Sequence, residues 1–236
     1  MAGVYISYPF CGQKCTYCNF ASGVLPRALE PRYVAGLRQE IAAHPWRWIP
    51  ETLYIGGGTP SQMDSGVFTE LVAAVPGAPW IEATIEAAPG TITKDNAKAW
   101  RRAGINRASL GVQSFVSQEL ARTGRKHRAE TVAADVRTLS AQGIEQVNID
   151  LIAGLPGQTR ASWRESLDWI ARLAPAHVSV YMLEVDRDSR LGREMLLGGV
   201  RYGAGDVPSD ESIVEFYETS VDFLADLGLA RYEISN

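Results

Sequence analysis

The sequence predicts an α/β fold, an open (β/α)6 barrel of the partial TIM type. Three observations predict it. Short apolar or alternating runs are followed, six times in series, by stretches with helical spacing. The connections between them are short, as parallel strands joined by right-handed crossovers require. Polar motifs fall just after the strands, and in a barrel those ends converge on one mouth. A doubly wound sheet gives the same alternation but spreads such ends along an edge.

The elements follow in order. Residues 4–8 (VYISY) alternate apolar and polar and stop at Pro9. Residues 32–44 carry Val34, Leu37 and Ile41 at helical spacing. Residues 52–58 (TLYIGGG) form a short apolar strand running into glycines, and a helix is expected over 65–75. Residues 80–89 alternate again. Residues 93–103 read as a helix capped by Thr93 and stopped by Gly104. Residues 105–114 are a fourth strand with its loop, and 129–142 a helix ending at Gly143. Residues 147–157 are a fifth strand buried on both faces. Residues 162–173 are a helix that stops before Pro175, and 177–185 a sixth strand. A last helix spans 209–227, with Asp210 near its cap. The glycine-rich stretch 198–210 reads as a mobile connection.

Composition narrows the function. The chain has 236 residues, 46% of them hydrophobic, enough for a substantial core. With 27 acidic and 23 basic residues the net charge is −4, which argues against nucleic acid held on a broad basic surface. No run of eighteen apolar residues occurs, so no transmembrane segment is expected. The start lacks a basic region followed by an apolar core, so a cytoplasmic location is expected.

The three cysteines of the chain are Cys11, Cys15 and Cys18, spaced Cys-x-x-x-Cys-x-x-Cys. An iron–sulfur cube takes four thiolates. Three leave one iron with an open position for a substrate or cofactor. Zinc usually wants four protein ligands, or three and a water, and the nearest histidine is the distant His44. Disulfide pairing leaves one thiol over. The loop resembles the cluster loop of the radical S-adenosylmethionine (SAM) enzymes, in which SAM occupies the open iron. Tyr17, between two cysteines, is placed either beside an adenine or in plain loop packing. Gly56-Gly57-Gly58-Thr59-Pro60 lacks the lysine of a P-loop and the spacing of a dinucleotide fingerprint. It suits a carbonyl-lined seat for an ammonium group. Glu86 and Asp150 suit ribose hydroxyls, and Arg125 suits a carboxylate. Gln113 is the remaining polar residue expected in the mouth.

Over nearly its whole length the chain resembles one radical SAM branch, that of oxygen-independent coproporphyrinogen III oxidase and the HemW-like haem chaperones. The motifs are VYISYPFC, GGGTPS, IEAAPGTIT, LGVQSF, NIDLIAGLPGQT and YEISN. The resemblance implies a [4Fe-4S] cluster on Cys11, Cys15 and Cys18. It implies that Tyr5, Gly57 and Glu86 serve the cluster-bound SAM. Tyr17, Gly58, Thr59, Gln113, Arg125 and Asp150 match positions assigned to a second SAM. The oxidases carry a further cysteine two residues after the third, where this chain has Phe20. The pattern Cys-Asn-Phe is similar to the chaperones instead, which implies haem binding and delivery to a respiratory haem acceptor. The alternative is an enzyme that abstracts hydrogen from a porphyrinogen, as the oxidase does, or from another substrate. Residues 1–230 are expected to form the radical SAM (β/α)6 domain. Residues 231–236 read as the start of a C-terminal region, which makes the fold a C-terminally truncated one. A histidine-containing segment that such chaperones carry after YEISN is absent, while His127 and His177 read as a loop residue and a strand-flanking residue.

Overall fold

Period-two burial builds the sheet. Leu53 and Ile55 are buried on one face of the second strand, and Ala83 and Ile85 on the same face of the third. The computed structural model describes residues 2–234; Ser235 and Asn236, the end of the expected C-terminal start, lie outside them. The strands are β1 (Gly3–Tyr8), β2 (Thr52–Gly57), β3 (Glu82–Ala87), β4 (Arg107–Gln113), β5 (Gln146–Ala153) and β6 (His177–Met182). The helices are α1 (Glu30–Ala43), α2 (Ser65–Ala74), α3 (Lys94–Arg102), α4 (Ser117–Arg122), α5 (Ala129–Ala141), α6 (Arg160–Leu173), α7 (Arg190–Leu196) and α8 (Asp210–Asp226). One six-stranded sheet runs in the order β1-β2-β3-β4-β5-β6. A doubly wound sheet would reverse its order at a switch point. This one never reverses, and β1 and β6 stand at its two edges, so the sheet is singly wound and open. Among the described residues no helix is long and apolar enough to cross a membrane.

The chain divides into two compact units. The first takes residues 1–12, 20–109 and 135–147; the second takes 13–19, 110–134 and 148–236. In the first, β1, β2 and β3 pair in parallel with Tyr5 opposite Tyr54 and Tyr54 opposite Thr84. Phe68, Leu71 and Val72 of α2 and Trp100 of α3 cover that sheet, with the Phe68 and Trp100 rings 6.4 Å apart. Truncating a side chain as buried as Trp100 costs about 3–5 kcal/mol. In the second unit β5 and β6 pair in parallel, with Asn148 opposite His177 and Asp150 opposite Ser179. Ile149, Leu151 and Ile152 are all buried, as a strand covered on both faces requires. Trp163 of α6 is buried and donates its indole N–H to the Phe216 carbonyl of α8 at 2.7 Å.

Helix starts follow their capping chemistry. Thr93 caps α3 in a reciprocal box with Asn96. Thr159 and Ser162 make the same box at α6, which starts two residues earlier than expected. Ser209 caps α8, with Asp210 next to it as the first helical residue. Two short helices, α4 and α7, were not expected. The stretch expected as a mobile connection is partly helical: Arg201–Asp206 forms a kinked 3-10 turn with Ala204 buried and Tyr202 and Gly203 in the left-handed region. The strand start expected at Tyr232 and Ile234 is not a strand.

Candidate functional site

In the first unit the glycine loop after β2 is fastened to the segment that leads into Cys11. Gly58 donates its N–H to the Tyr8 carbonyl at 2.7 Å, and Thr59 donates to the Phe10 carbonyl at 2.9 Å. A Cβ on Gly58 would stand 2.6 Å from the Phe10 oxygen and 2.8 Å from the Tyr8 oxygen. Only glycine permits that approach. The Cys11 N–H donates to the Gly23 carbonyl at 2.8 Å, which closes the far side of the segment. Phe10 is buried between the rings of Tyr8 and Tyr33.

Glu86 sits in a cradle. Gly57, at φ 109°, donates its N–H to one carboxylate oxygen at 2.9 Å, and the Tyr54 hydroxyl donates to the other at 2.9 Å. A Cβ on Gly56 would fall 2.9 Å from that carboxyl group. A carboxylate has roughly four acceptor positions. Two donors therefore leave Glu86 capacity for ligand hydroxyls. Tyr5 stacks on Tyr54 with ring centroids 5.7 Å apart and stays largely exposed. Burial, then the Glu86 charge, then Tyr33 raise its phenol above the ordinary value, so it is a neutral hydroxyl at physiological pH. Tyr54 escaped the sequence reading. It shares a strand face with Tyr5, and period two along β2 carried that signal.

The second unit holds Cys15 and Cys18. The Cys18 N–H turns back to the Cys15 carbonyl at 3.3 Å, and Thr16 is tied to Thr123 and Leu191 through its own backbone. Arg125 lies beside Cys15 and Tyr17 and donates to the Gly111 carbonyl at 2.6 Å. Burial works against its charge, but the Tyr17 oxygen and the Cys15 sulfur outweigh it and raise the guanidinium pKa further. Burial first pushes the Tyr17 phenol up, so it remains protonated. Tyr17 makes no hydrogen bond of good geometry despite its neighbours. Thr16 Oγ1, Tyr17 Oη and Arg125 Nε are each buried without a hydrogen-bond partner. Each such orphan is a polar atom with capacity for a water or a bound group.

Gln113 ends β4 at φ 71°, an uncommon conformation for a residue with a side chain. A Cβ on Gly111 would lie 3.1 Å from the Gln113 amide nitrogen and 3.5 Å from the Arg125 guanidinium, so the two groups converge above that glycine. His127 supports the strand end by its Nε2 contact with the Val112 carbonyl at 3.1 Å. Burial, then the Arg125 charge, lower its pKa to about 4. It is therefore neutral, with the proton on Nε2. Asp150 accepts from Asn148 Nδ2 at 2.7 Å. Asn148 Oδ1 lies 2.6 Å from His177 Nδ1 and accepts from Ser179 at 3.2 Å. His177 Nε2 lies 2.8 Å from the Tyr232 hydroxyl. The structure thus joins Gly57 to Glu86 beside Tyr5, and Arg125 to Gln113, Tyr17 and Cys15, while Asp150 enters a polar series with Asn148, His177 and Tyr232.

Among the described residues no three His, Cys, Asp or Glu side chains close on a single metal ion. A cube spaces its thiolates more widely, each on its own iron. The donor set fits that group: three thiols that are partly exposed and joined in no disulfide. The backbone fastening at Gly58 and the orphaned polar atoms around Cys15 suit it as well.

The model of the Radical SAM superfamily matches residues 5–170. A relative named heme chaperone HemW from Synechocystis is 34% identical over 98% of this chain and 58% of its own length. The heme chaperone HemW of Escherichia coli is 32% identical over 98% of this chain and 61% of its own. The chain thus spans about three fifths of these relatives. The structure of coproporphyrinogen III oxidase (HemN) from Escherichia coli, described as a radical SAM enzyme, superimposes with a TM-score of 0.83. It is 25% identical, over 96% of this chain and 52% of that one.

Proposed function

From the premise that the chain belongs to the radical SAM superfamily, we propose that it is a haem-handling protein of the HemW kind. It holds a [4Fe-4S] cluster on Cys11, Cys15 and Cys18. It binds SAM through Tyr5, Gly57 and Glu86, and delivers haem to a respiratory acceptor in the cytoplasm. The observation that carries this reading is the likeness, over 98% of the chain, to relatives named heme chaperone HemW. Phe20, exposed where the resemblance puts the extra cysteine of the oxidases, supports it.

The cluster and SAM together supply one-electron chemistry when bound. The residues of the chain do the rest. Glu86 accepts hydrogen bonds from ligand hydroxyls while Gly57 and Tyr54 hold it still. Tyr5 covers that seat with a neutral aromatic face. Arg125 carries a permanent positive charge that suits a carboxylate. Gln113, Tyr17, Gly58, Thr59 and Asp150 complete the positions offered to a second SAM.

The oxidase reading keeps one observation in its favour, the TM-score of 0.83 to coproporphyrinogen III oxidase. One anaerobic experiment separates the two. The reconstituted chain is given reductant, SAM and either coproporphyrinogen III or haemin with an apo-cytochrome acceptor. Haem transfer without porphyrinogen turnover supports the chaperone. Repeated conversion of the porphyrinogen overturns it and promotes the oxidase.

A further inference from the structure

We propose that the groove along the outer side of α1 is the surface on which the chain holds the tetrapyrrole; this rests on the haem-handling reading above. The groove encloses about 410 Å³ and lies within the first unit. That volume is in the range of small-molecule sites. Phe10, Leu25, Leu29, Tyr33 and Leu37 line it, and Arg32 and Glu40 stand at its rim.

The groove has three features of a site for a flat amphipathic acid. The first is exposed apolar surface. Leu25 and Leu29 are 39% and 46% exposed, and Phe20 and Val24 of the same loop are exposed further still. Apolar side chains left in water at a groove are what a binding surface offers. The second is Gly36. A glycine inside a helix is destabilising relative to alanine. Here nothing lies within 4 Å of where a Cβ would stand, so internal packing does not require the glycine. It leaves bare backbone beside the stripe of Leu29, Tyr33 and Leu37, which follow one another at i,i+4. A planar ring can lie flat there. The third is charge. Arg27 is paired with Glu30, and Arg38 with Glu70. Among the described residues Arg32 has no ion pair or hydrogen bond. Arg32, Gly36 and Glu40 follow at i,i+4 along the adjoining stripe. A ligand with carboxylates at one edge therefore lies over Gly36 with that edge at Arg32, and Glu40 repels the reverse orientation.

The test is an absorbance titration of haemin into the chain and into Leu29→Asp, Gly36→Leu and Arg32→Gln, with melting temperatures taken alongside. Leu29→Asp and Gly36→Leu are expected to weaken haemin at least about tenfold, as loss of a central contact does. Gly36→Leu should do so with an unchanged or higher melting temperature, which removes misfolding as the cause. Arg32→Gln should erase the preference of the chain for haemin over haemin dimethyl ester. Wild-type affinity in all three variants would overturn the groove while the haem reading stands. Weakened self-association at unchanged haemin affinity would give the groove to a second copy of the chain and overturn it too. A wild-type chain that does not bind haemin withdraws both readings together.

Discussion

Gly58→Ala is a single methyl added at a point where two backbones meet. The new Cβ would stand 2.6 Å and 2.8 Å from the carbonyl oxygens of Phe10 and Tyr8. These are main-chain atoms, so no rotamer change relieves the contact. The loop must move away from the segment before Cys11. That movement breaks the bonds Gly58 N–H to Tyr8 and Thr59 N–H to Phe10. Each buried group left unpaired costs about 1–3 kcal/mol, so about 3 kcal/mol is expected for the pair after partial relaxation. In a chain of this size each kcal/mol moves the melting temperature by about 2–4 °C, which gives a fall of about 6–12 °C. The measurement is thermal unfolding of the apo chain, followed by anaerobic reconstitution and iron analysis. Iron retention should fall although no cysteine has changed. Gly36→Ala is the control: no atom is near its Cβ position, and it should stabilise by up to about 1 kcal/mol. A Gly58→Ala chain that melts with wild type and fills with iron normally would refute the reasoning.

Other outcomes follow from the same geometry. Reconstituted chain should hold about four irons, and Cys15→Ala should hold none; stoichiometric zinc without iron would sink the cluster assignment. Glu86→Ala removes an acceptor already held by Gly57 and Tyr54, and should cost about 1.5–3 kcal/mol of SAM affinity by calorimetry. Equal affinity in that variant removes Glu86 from the site. Asp135 is buried, takes one hydrogen bond from the Gly90 N–H, and has its pKa raised by burial from 3.8 to about 6. A carboxyl raised on folding favours the folded state below the unfolded pKa, and that advantage is lost as pH rises through about 6. Asp135→Asn should therefore stabilise by on the order of 2 kcal/mol at pH 8 and by little at pH 4. The same gain in melting temperature at both pH values would contradict it.

The alternation of strands and helices was legible because each long element carries its own period. Thr93 and Gly104 marked α3 by capping chemistry alone. The short helices α4 and α7 carry too few turns for a period to show, and the turn at Arg201–Asp206 hides in a glycine-rich stretch. Tandem position after the strands made Glu86 and Gln113 legible as residues. The left-handed φ of Gln113 was not, because it comes from how β4 ends against Gly111 and Arg125. Tyr54, His127 and Asn148 meet Glu86, Val112 and His177, partners 15 to 32 residues away, and pairings at that distance are set by strand register. Tyr232 read as the entry to a strand; its exposed ring instead meets His177 edge-on.

The series from Asp150 to Tyr232 has a consequence for where protons rest. An asparagine amide has one donating end and one accepting end, and Asp150, when ionised, can only accept. It therefore turns the nitrogen of Asn148 toward itself and the oxygen toward His177. An oxygen there calls for a proton on His177 Nδ1, and when the ring carries that proton alone Nε2 accepts a hydrogen bond from the Tyr232 hydroxyl. The tautomer of a histidine on one strand is thus selected by an asparagine amide on the next, which Asp150 and Ser179 hold in one orientation. Asp150→Asn would release the amide, and the imidazole with it. A ligand that draws on the Asp150 carboxylate would loosen the same series from its other end, so occupancy at Asp150 and the grip on Tyr232 are parts of one hydrogen-bond ledger.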